Sequence, residues 1–428
     1  MTVNLITLGC SRNLVDSEHL LYHFKNGGYQ VLHNEYLAPA DLVIINTCGF
    51  ILDAKEESVD TILYYVEEKK KGNLKKLFVM GCLSERYKGD LRKELPDVDG
   101  FFGVREMPRI LKAAGVRPDP HFPVNREITA PGHFAYLKIS EGCNRTCSFC
   151  AIPGIRGKHH SLPIEHLLKE ASYLVEHGVR ELILIAQDLT SYGIDLYRKY
   201  TLPALLKELV TLEGVDWIRL HYAYPAGFPG EVISLMATEP RICRYMDIPI
   251  QHINDHLLSV MGRGYTRGKL EVLLNRFRSQ IPDVALRTSV MVGFPEETEE
   301  AFTELMEFLA AFRFDRLGVF TYSHEEDTPA YGRYPDRIPE KVKSDRAGEV
   351  MRLQQEISYQ LNREKIGKTL RVLVDREESS HYIGRTEYDS PEVDNEVIVQ
   401  ADRELAAGSF YHVKITGAED FDLHGMVV

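Results

Sequence analysis

Three cysteines within eight residues, Cys143-Asn144-Arg145-Thr146-Cys147-Ser148-Phe149-Cys150, carry the most restrictive spacing in this 428-residue chain. Only seven cysteines are present in all, so composition does not account for the run. Thiolates are soft ligands, and three of them in so short a span must converge on iron–sulfur or zinc. A structural zinc site closes with four ligands, for which His159 or His160 could supply the fourth. A 4Fe–4S cluster with three protein ligands leaves one iron open to a ligand from solution, and this is the reading adopted.

Three further cysteines occur in Thr7-Leu8-Gly9-Cys10, Asn46-Thr47-Cys48-Gly49 and Met80-Gly81-Cys82. Each follows an apolar run that reads as a strand: Val3–Leu8, Asp41–Asn46 and Leu77–Met80. For any one of them a buried structural thiol is the ordinary explanation. Three at one topological position, with adjacent glycine to admit a cofactor, favour a second cluster in the crevice at the strand ends. Cys243, the seventh, has no partner in the sequence and reads as a core or surface thiol.

The elements that must position these residues alternate along the chain. In the first ~120 residues the strands are interleaved with helices, one opened by Asp16-Ser17-Glu18 and another spanning Asp53–Val66. Continuous apolar strands of this kind imply a doubly wound parallel α/β domain, residues 1–120. Arg117-Pro118-Asp119-Pro120-His121-Phe122-Pro123 reads as a linker. Six strands follow, Phe134–Ser140, Glu181–Ala186, Trp217–Tyr222, Met246–Ile250, Ala285–Val292 and Leu317–Tyr322. Helices at Ile164–Glu176, Leu202–Val210, Arg267–Arg278 and Glu297–Phe312 separate them. Six units are two short of a closed eight-fold barrel, so residues 130–338 are expected to form an open (β/α)6 barrel. A charged helix over 339–365 then leads to a small all-β module, 366–428, with runs at Leu370–Val374, Val397–Val399 and Tyr411–Ile415. The C-x3-C-x2-C run directly follows the first barrel strand, at the end where such barrels place their chemistry.

Composition excludes several classes. Hydrophobic residues make up 44% and charged residues 27%, an ordinary globular balance. No apolar run approaches the ~20 residues of a membrane-spanning helix, and no secretory signal is evident at Met1-Thr2-Val3-Asn4-Leu5, so a cytoplasmic protein is expected. With 51 basic against 63 acidic side chains the net charge is −12. That argues against general electrostatic binding of nucleic acid. An odd number of cysteines without a signal argues against a disulfide scaffold.

The run Glu141-Gly142-Cys143…Phe149-Cys150 on an open barrel resembles the radical S-adenosylmethionine enzymes. Both cysteine triplets together resemble the methylthiotransferase family, over essentially the whole chain. Leu8-Gly9-Cys10-Ser11-Arg12-Asn13-Leu14-Val15-Asp16-Ser17-Glu18 and Cys48-Gly49-Phe50-Ile51 look like the branch that modifies an aspartate of ribosomal protein S-twelve. Tyr136–Cys143 and Gly318-Val319-Phe320-Thr321-Tyr322-Ser323-His324-Glu325-Glu326 do so as well. The tRNA-modifying branch typically has glutamine and methionine after its first cysteine, where this chain has Ser11 and Arg12. The resemblance implies two 4Fe–4S clusters, the radical-generating one on Cys143, Cys147 and Cys150 and an auxiliary one on Cys10, Cys48 and Cys82. It further implies S-adenosylmethionine as cofactor, a C-terminal TRAM barrel, and an electron donor such as flavodoxin or ferredoxin. A monomer without a tRNA partner is expected.

The module from Lys368 to Val428 carries six basic against thirteen acidic side chains, a balance of −7. Phosphates would be repelled by it and a basic ribosomal protein attracted, with a merely solvated acidic face as the ordinary alternative. Glu377, Glu378, Asp389, Glu392 and Asp394 are the acids expected to meet that partner. For the S-adenosylmethionine pocket the candidates are Phe149, Gln187 and Gly293. A helix cap explains Asp188 equally well, and a turn explains Gly293 almost as well. Arg156-Gly157-Lys158-His159-His160 could meet carboxylates or simply be solvated.

Overall fold

Period-two alternation along the N-terminal strands feeds two apolar layers at once, and this decides the first part of the fold. The computed structural model describes residues 1–36, 38–117, 124–129 and 131–428. Most of the expected linker, residues 118–123, lies outside the described residues. The chain divides into two units, taken one at a time below. The first comprises Met1–Ala130, Tyr136–Asn144 and Cys150–Leu174; the second comprises Pro131–Ala135, Arg145–Phe149 and Val175–Val428.

In the first unit, β1 (Thr2–Thr7), β2 (Gln30–His33), β3 (Leu42–Thr47), β4 (Lys76–Gly81) and β5 (Gly100–Phe101) form a parallel sheet in the order β2-β1-β3-β4-β5. Ile6, Val43, Ile45 and Val79 face Ile62 and Tyr65 of α2 (Leu52–Lys70; α1 is Ser11–Asn26). Their alternates Leu5, Ile44 and Phe78 face Leu20 and Phe24 of α1 on the other side. The remaining helices of this sheet are α3 (Cys82–Glu94) and α4 (Met107–Ala114). Helices on both faces explain why the strands read as continuous apolar runs.

Helix α1 begins at Ser11, earlier than the Asp16-Ser17-Glu18 start expected from sequence. Those three residues resemble a cap but are buried inside the helix, each with a polar partner. Asp16 meets Arg156 at 3.0 Å, Ser17 accepts from the Thr7 hydroxyl at 2.7 Å, and Glu18 accepts from the Thr129 hydroxyl at 2.8 Å.

Strand β6 (Phe134–Lys138) starts in the second unit and runs into the first, where β7 (Ser140–Glu141) and β8 (His160–Ser161) form a short antiparallel ribbon around α5 (Ile152–Arg156). In the second unit, β9 (Glu181–Ile185), β10 (Trp217–Leu220), β11 (Ile242–Asp247), β12 (Ala285–Val292) and β13 (Arg316–Thr321) extend one sheet in the order β13-β12-β11-β10-β9-β6. Neighbours from β9 to β13 are parallel, and helices including Leu202–Leu209, Gly230–Thr238, Arg267–Gln280 and Glu299–Phe312 connect them. Strand order follows chain order, which is the open (β/α)6 barrel. The fourth barrel strand starts at Ile242 rather than Met246 and stops before Pro249, because proline cannot donate to the ladder.

Helix Glu340–Arg363 leads to β14 (Thr369–Glu378), β15 (His381–Thr386), β16 (Val397–Gln400), β17 (Phe410–Ala418) and β18 (Leu423–Val427), a closed barrel in the order β14-β15-β16-β18-β17. Val372, Val374, Val397, Val399, Val413 and Ile415 fill it. Within the second unit this small barrel is tied to the larger one by buried charge. Glu181 is fully buried and accepts from Arg219 at 2.7 Å and from Arg385 at 2.8 Å. Trp217 packs edge-on against Phe410. Among the described residues no helix is long and apolar enough to cross a membrane.

Candidate functional site

Cys10, Cys48 and Cys82 stand just beyond the carboxyl ends of β1, β3 and β4, three adjacent strands of the first unit. Cys10 caps the N-terminus of α1 and its carbonyl accepts from Leu14 N–H at 3.1 Å, while Cys82 opens α3. Close approach of these loops depends on glycine. At Gly9 (φ +89°) an added Cβ would lie 2.8 Å from Cys48 Cβ and 3.1 Å from its sulfur. At Gly49 it would lie 2.7 Å from the Leu83 backbone nitrogen. Asn13 fastens two of the strand ends, donating from Nδ2 to Leu8 O at 2.8 Å and to Thr47 O at 3.1 Å. Ser58 fixes the Cys48 backbone, accepting from its N–H at 3.1 Å and donating to its carbonyl at 2.9 Å.

The three thiols differ electrostatically. Burial alone would raise Cys10, but Arg12, Arg156 and the helix N-terminal N–H groups outweigh it and lower its pKa. Burial pushes Cys48 up to about 11, with the Cys82 and Cys10 sulfurs contributing in the same direction. Cys82 is also raised by burial, against the opposing pull of Arg156. The sulfurs are thus near enough to act on one another electrostatically. A ligand carrying positive charge would relieve that repulsion and hold all three as thiolates. All three are free thiols, a donor set suited to a soft metal centre. No group of three His, Cys, Asp or Glu side chains among the described residues is gathered tightly enough for a single metal ion. A cluster that spreads its ligands over separate irons sets no such condition.

Arg156, on α5, is 2% exposed and lies in the same pocket of the first unit. It donates from Nε to Cys82 Sγ at 3.3 Å, from Nη1 to Asp16 and Glu141 at 3.0 Å each, and from Nη2 to Asn13 Oδ1. Lys138 joins the same two carboxylates. Of the two readings left open for residues 156–160, solvation does not hold at Arg156, which meets carboxylates of the protein itself, or at His159, which is buried with its ring nitrogen 3.0 Å from the Ser161 hydroxyl.

Cys143, Cys147 and Cys150 lie on the loop between β7 and α5. Within the first unit, Gly142 (φ +77°) has no room for a Cβ, which would meet Lys158 O at 2.2 Å. Cys143 N–H donates to Gly157 O at 3.0 Å, and Asn144 Oδ1 accepts from His159 N–H at 3.1 Å. Within the second unit, Ser148 donates to Met261 O through its N–H at 2.9 Å and to Val260 O through its hydroxyl at 2.8 Å. Cys147 is buried, with Arg263 Nη1 donating to its sulfur at 3.3 Å and the Tyr224 hydroxyl at 4.0 Å. The Arg263 guanidinium sits 4.5 Å over the Tyr224 ring, and that of Arg145 lies 4.0 Å over it.

Of the pocket candidates, Phe149 packs beside Met261, Phe294 and Tyr322 in the second unit. Gly293 has φ +78° and a Cβ there would lie 2.3 Å from the Lys343 side chain, so its turn requires glycine. Gln187 follows β9, and its neighbour Asp188 accepts from Thr190 N–H at 3.0 Å and from Arg145 at 2.7 Å, the capping role considered from sequence. Cys243 is buried among Trp217, Tyr245, Ala285 and Leu373, a core thiol whose pKa burial raises strongly.

Two of the acids expected to meet a basic partner are corrected. Asp389 and the side chain of Asp394 are buried, paired with Arg316 at 3.0 Å and Arg287 at 3.2 Å. Glu377, Glu378 and Glu392 are exposed, as are Asp402, Glu404 and Glu419. Sequence reasoning missed Arg263, Tyr224 and Lys138, which no local pattern distinguishes from other charged or aromatic residues.

Family models match three stretches: the uncharacterized protein family UPF0004 over residues 2–103, the radical SAM superfamily over 137–309, and the TRAM domain over 366–428. Fold and site thus define a radical S-adenosylmethionine enzyme. Similar proteins include the ribosomal protein uS12 methylthiotransferase RimO of Christiangramia forsetii, 53% identical over 99% of this chain and 93% of that protein. That of Bacteroides fragilis is 49% identical over 100% of this chain and 99% of that protein. Among solved structures, the radical S-adenosylmethionine methyltransferase TsrM from Kitasatospora setae aligns with TM-score 0.58 at 15% identity, covering 77% of this chain and 73% of that one. The cobalamin-dependent radical enzyme OxsB aligns with TM-score 0.52 at 12% identity, covering 83% and 56%. At such identities these two speak to fold alone. The chain belongs to the RimO family of radical S-adenosylmethionine methylthiotransferases.

Proposed function

We propose that this enzyme replaces a hydrogen on the β-carbon of an aspartate in ribosomal protein uS12 with a methylthio group. The observation that carries the reading is identity of about half over the full length to relatives bearing that name. Cys143, Cys147 and Cys150 would hold one 4Fe–4S cluster, and Cys10, Cys48 and Cys82 the auxiliary one. When bound, these clusters and S-adenosylmethionine supply the radical and the sulfur chemistry that an unactivated C–H bond requires.

The chain's own residues position and insulate. Arg263 and Tyr224 enclose Cys147, and Ser148 is held by the backbone carbonyls of Val260 and Met261. Glycine at positions 9 and 49 keeps the N-terminal loops close enough for their cysteines to act on one centre. Phe149, Gln187 and Gly293 are proposed to line the S-adenosylmethionine pocket. The exposed acids of the small barrel, Glu377, Glu378 and Glu392 among them, are proposed to meet the basic ribosomal protein. A flavodoxin- or ferredoxin-type donor, a monomeric state, a cytoplasmic location and domain limits at 1–120, 130–338, 339–365 and 366–428 complete the proposal.

The test combines iron content with product analysis. Anaerobic reconstitution should give about eight irons per chain with matching acid-labile sulfide. Replacing Cys143, Cys147 and Cys150 by alanine should abolish cleavage of S-adenosylmethionine. Replacing Cys10, Cys48 and Cys82 should leave cleavage and stop sulfur insertion. Mass spectrometry of uS12 and of bulk tRNA from cells lacking the enzyme should show loss of the modification from the protein alone; loss from tRNA instead would overturn the substrate.

A further inference from the structure

The C-x3-C-x2-C loop is followed at once by α5, whose last residue, Arg156, reaches the N-terminal cysteines rather than solvent. We infer that Arg156 is a positioning residue for the auxiliary centre, holding the Cys82 sulfur and setting positive charge against the group that sulfur ligates. The inference rests on the proposed reading of Cys10, Cys48 and Cys82 as cluster ligands.

Three observations carry it. The guanidinium touches Cys82 directly, at 3.3 Å from Nε. Through Nη2 it also holds Asn13, the residue whose Nδ2 fastens the carbonyls of Leu8 and Thr47, two residues before Cys10 and one before Cys48. One side chain therefore bears on all three cysteine stems. The fork is itself fixed, since Nη1 is shared by Asp16 and Glu141 at 3.0 Å each and Arg105 donates to the Arg156 carbonyl at 2.8 Å.

Charge explains why arginine suits the position. Arg156 and Lys138 balance Asp16 and Glu141, so this four-residue ion-pair network is neutral in itself. A purely structural bridge would be complete with the two carboxylates. The Nε–H aimed at sulfur is additional, and arginine's rigid fork can serve carboxylates and sulfur together, which a lysine ammonium cannot do in the same geometry. Hydrogen bonds to cluster sulfur and nearby positive charge both favour the reduced, more negative state, so they raise a cluster's reduction potential.

The experiment uses the full chain with Cys143, Cys147 and Cys150 replaced by alanine, leaving the auxiliary site alone, reconstituted anaerobically with iron and sulfide. Two variants are built on it. R156K keeps the charge, which Asp16 and Glu141 draw away from sulfur. R156M with E141Q removes one charge of each sign, so the buried pocket stays balanced and foldable. The parent should bind about four irons. Its midpoint potential, read by redox titration with EPR detection, should fall in both variants, further in the double one, with altered g-values. Loss of iron from R156K with unchanged far-UV circular dichroism would support the same role. A potential and EPR signal identical to the parent's in R156K, or in the double variant where it folds, overturn the inference. A parent that binds no iron overturns instead the cysteine reading on which it rests.

Discussion

Replacing Gly9 with alanine tests whether the N-terminal cysteines act as one unit, because the added methyl group lands on Cys48. Carbon atoms rest about 3.5–4.0 Å apart, so an approach of 2.8 Å falls short by roughly 1 Å. Overpacking of that size costs about 1–3 kcal/mol. The left-handed backbone at φ +89° adds about 1–2 kcal/mol for a residue with a Cβ. Cys48 is held by Ser58 through both its N–H and its carbonyl, so its loop cannot yield without breaking those bonds. The expected outcome is a soluble protein that binds about four irons in place of eight. It should still cleave S-adenosylmethionine but make little methylthiolated product. Gly28 supplies the control, since its φ is +81° yet a Cβ there meets nothing within 4 Å. Gly28→Ala should therefore show the backbone cost alone and keep its full iron. Equal iron content in the two variants would refute the claim that crowding at Cys48, rather than backbone strain, sets the loss.

Four further outcomes are expected. Glu181→Ala takes the paired carboxylate from fully buried Arg219 and leaves it backbone carbonyls, while Arg385 keeps Asp375, so urea denaturation should show a loss of about 3–5 kcal/mol, and Glu181→Ala with Arg219→Met should recover part of it. His252 is buried and its pKa is pushed down to about 4, so the unfolded chain binds the extra proton first as pH falls. Stability should drop between pH 6.5 and 4 by up to about 3 kcal/mol through this group, and His252→Asn should flatten that slope in a pH series of denaturation curves. Reversing the exposed Glu377, Glu378 and Glu392 to lysine should weaken uS12 binding at low salt and leave the difference small at high salt. Asp389→Lys should instead unfold the small barrel, visible as lost near-UV circular dichroism, because its carboxylate pairs with buried Arg316.

The sequence by itself determined the alternation of strands and helices and the two cysteine triplets, though not β15 and β18 of the small barrel. Ala285–Val292 and Ile164–Glu176 are bounded in the structure as their patterns indicate, because periodicity and end signals are local properties. Both triplets were legible for the same reason: one is contiguous, and the other sits at three equivalent strand ends that a doubly wound sheet must bring side by side. What surrounds those sulfurs was decided only by tertiary structure. Arg156 lies 74 residues from Cys82, and Arg263 lies 116 residues from Cys147, distances along the chain that no pattern bridges. The same limit misread charge. Asp16-Ser17-Glu18 resembled a helix start and Asp389 and Asp394 an acidic docking face, yet each carboxylate is buried against a cation from a distant element. A count of charges cannot tell a solvated carboxylate from a paired one, because the difference between them is desolvation, and desolvation exists only once the chain has closed over the pair.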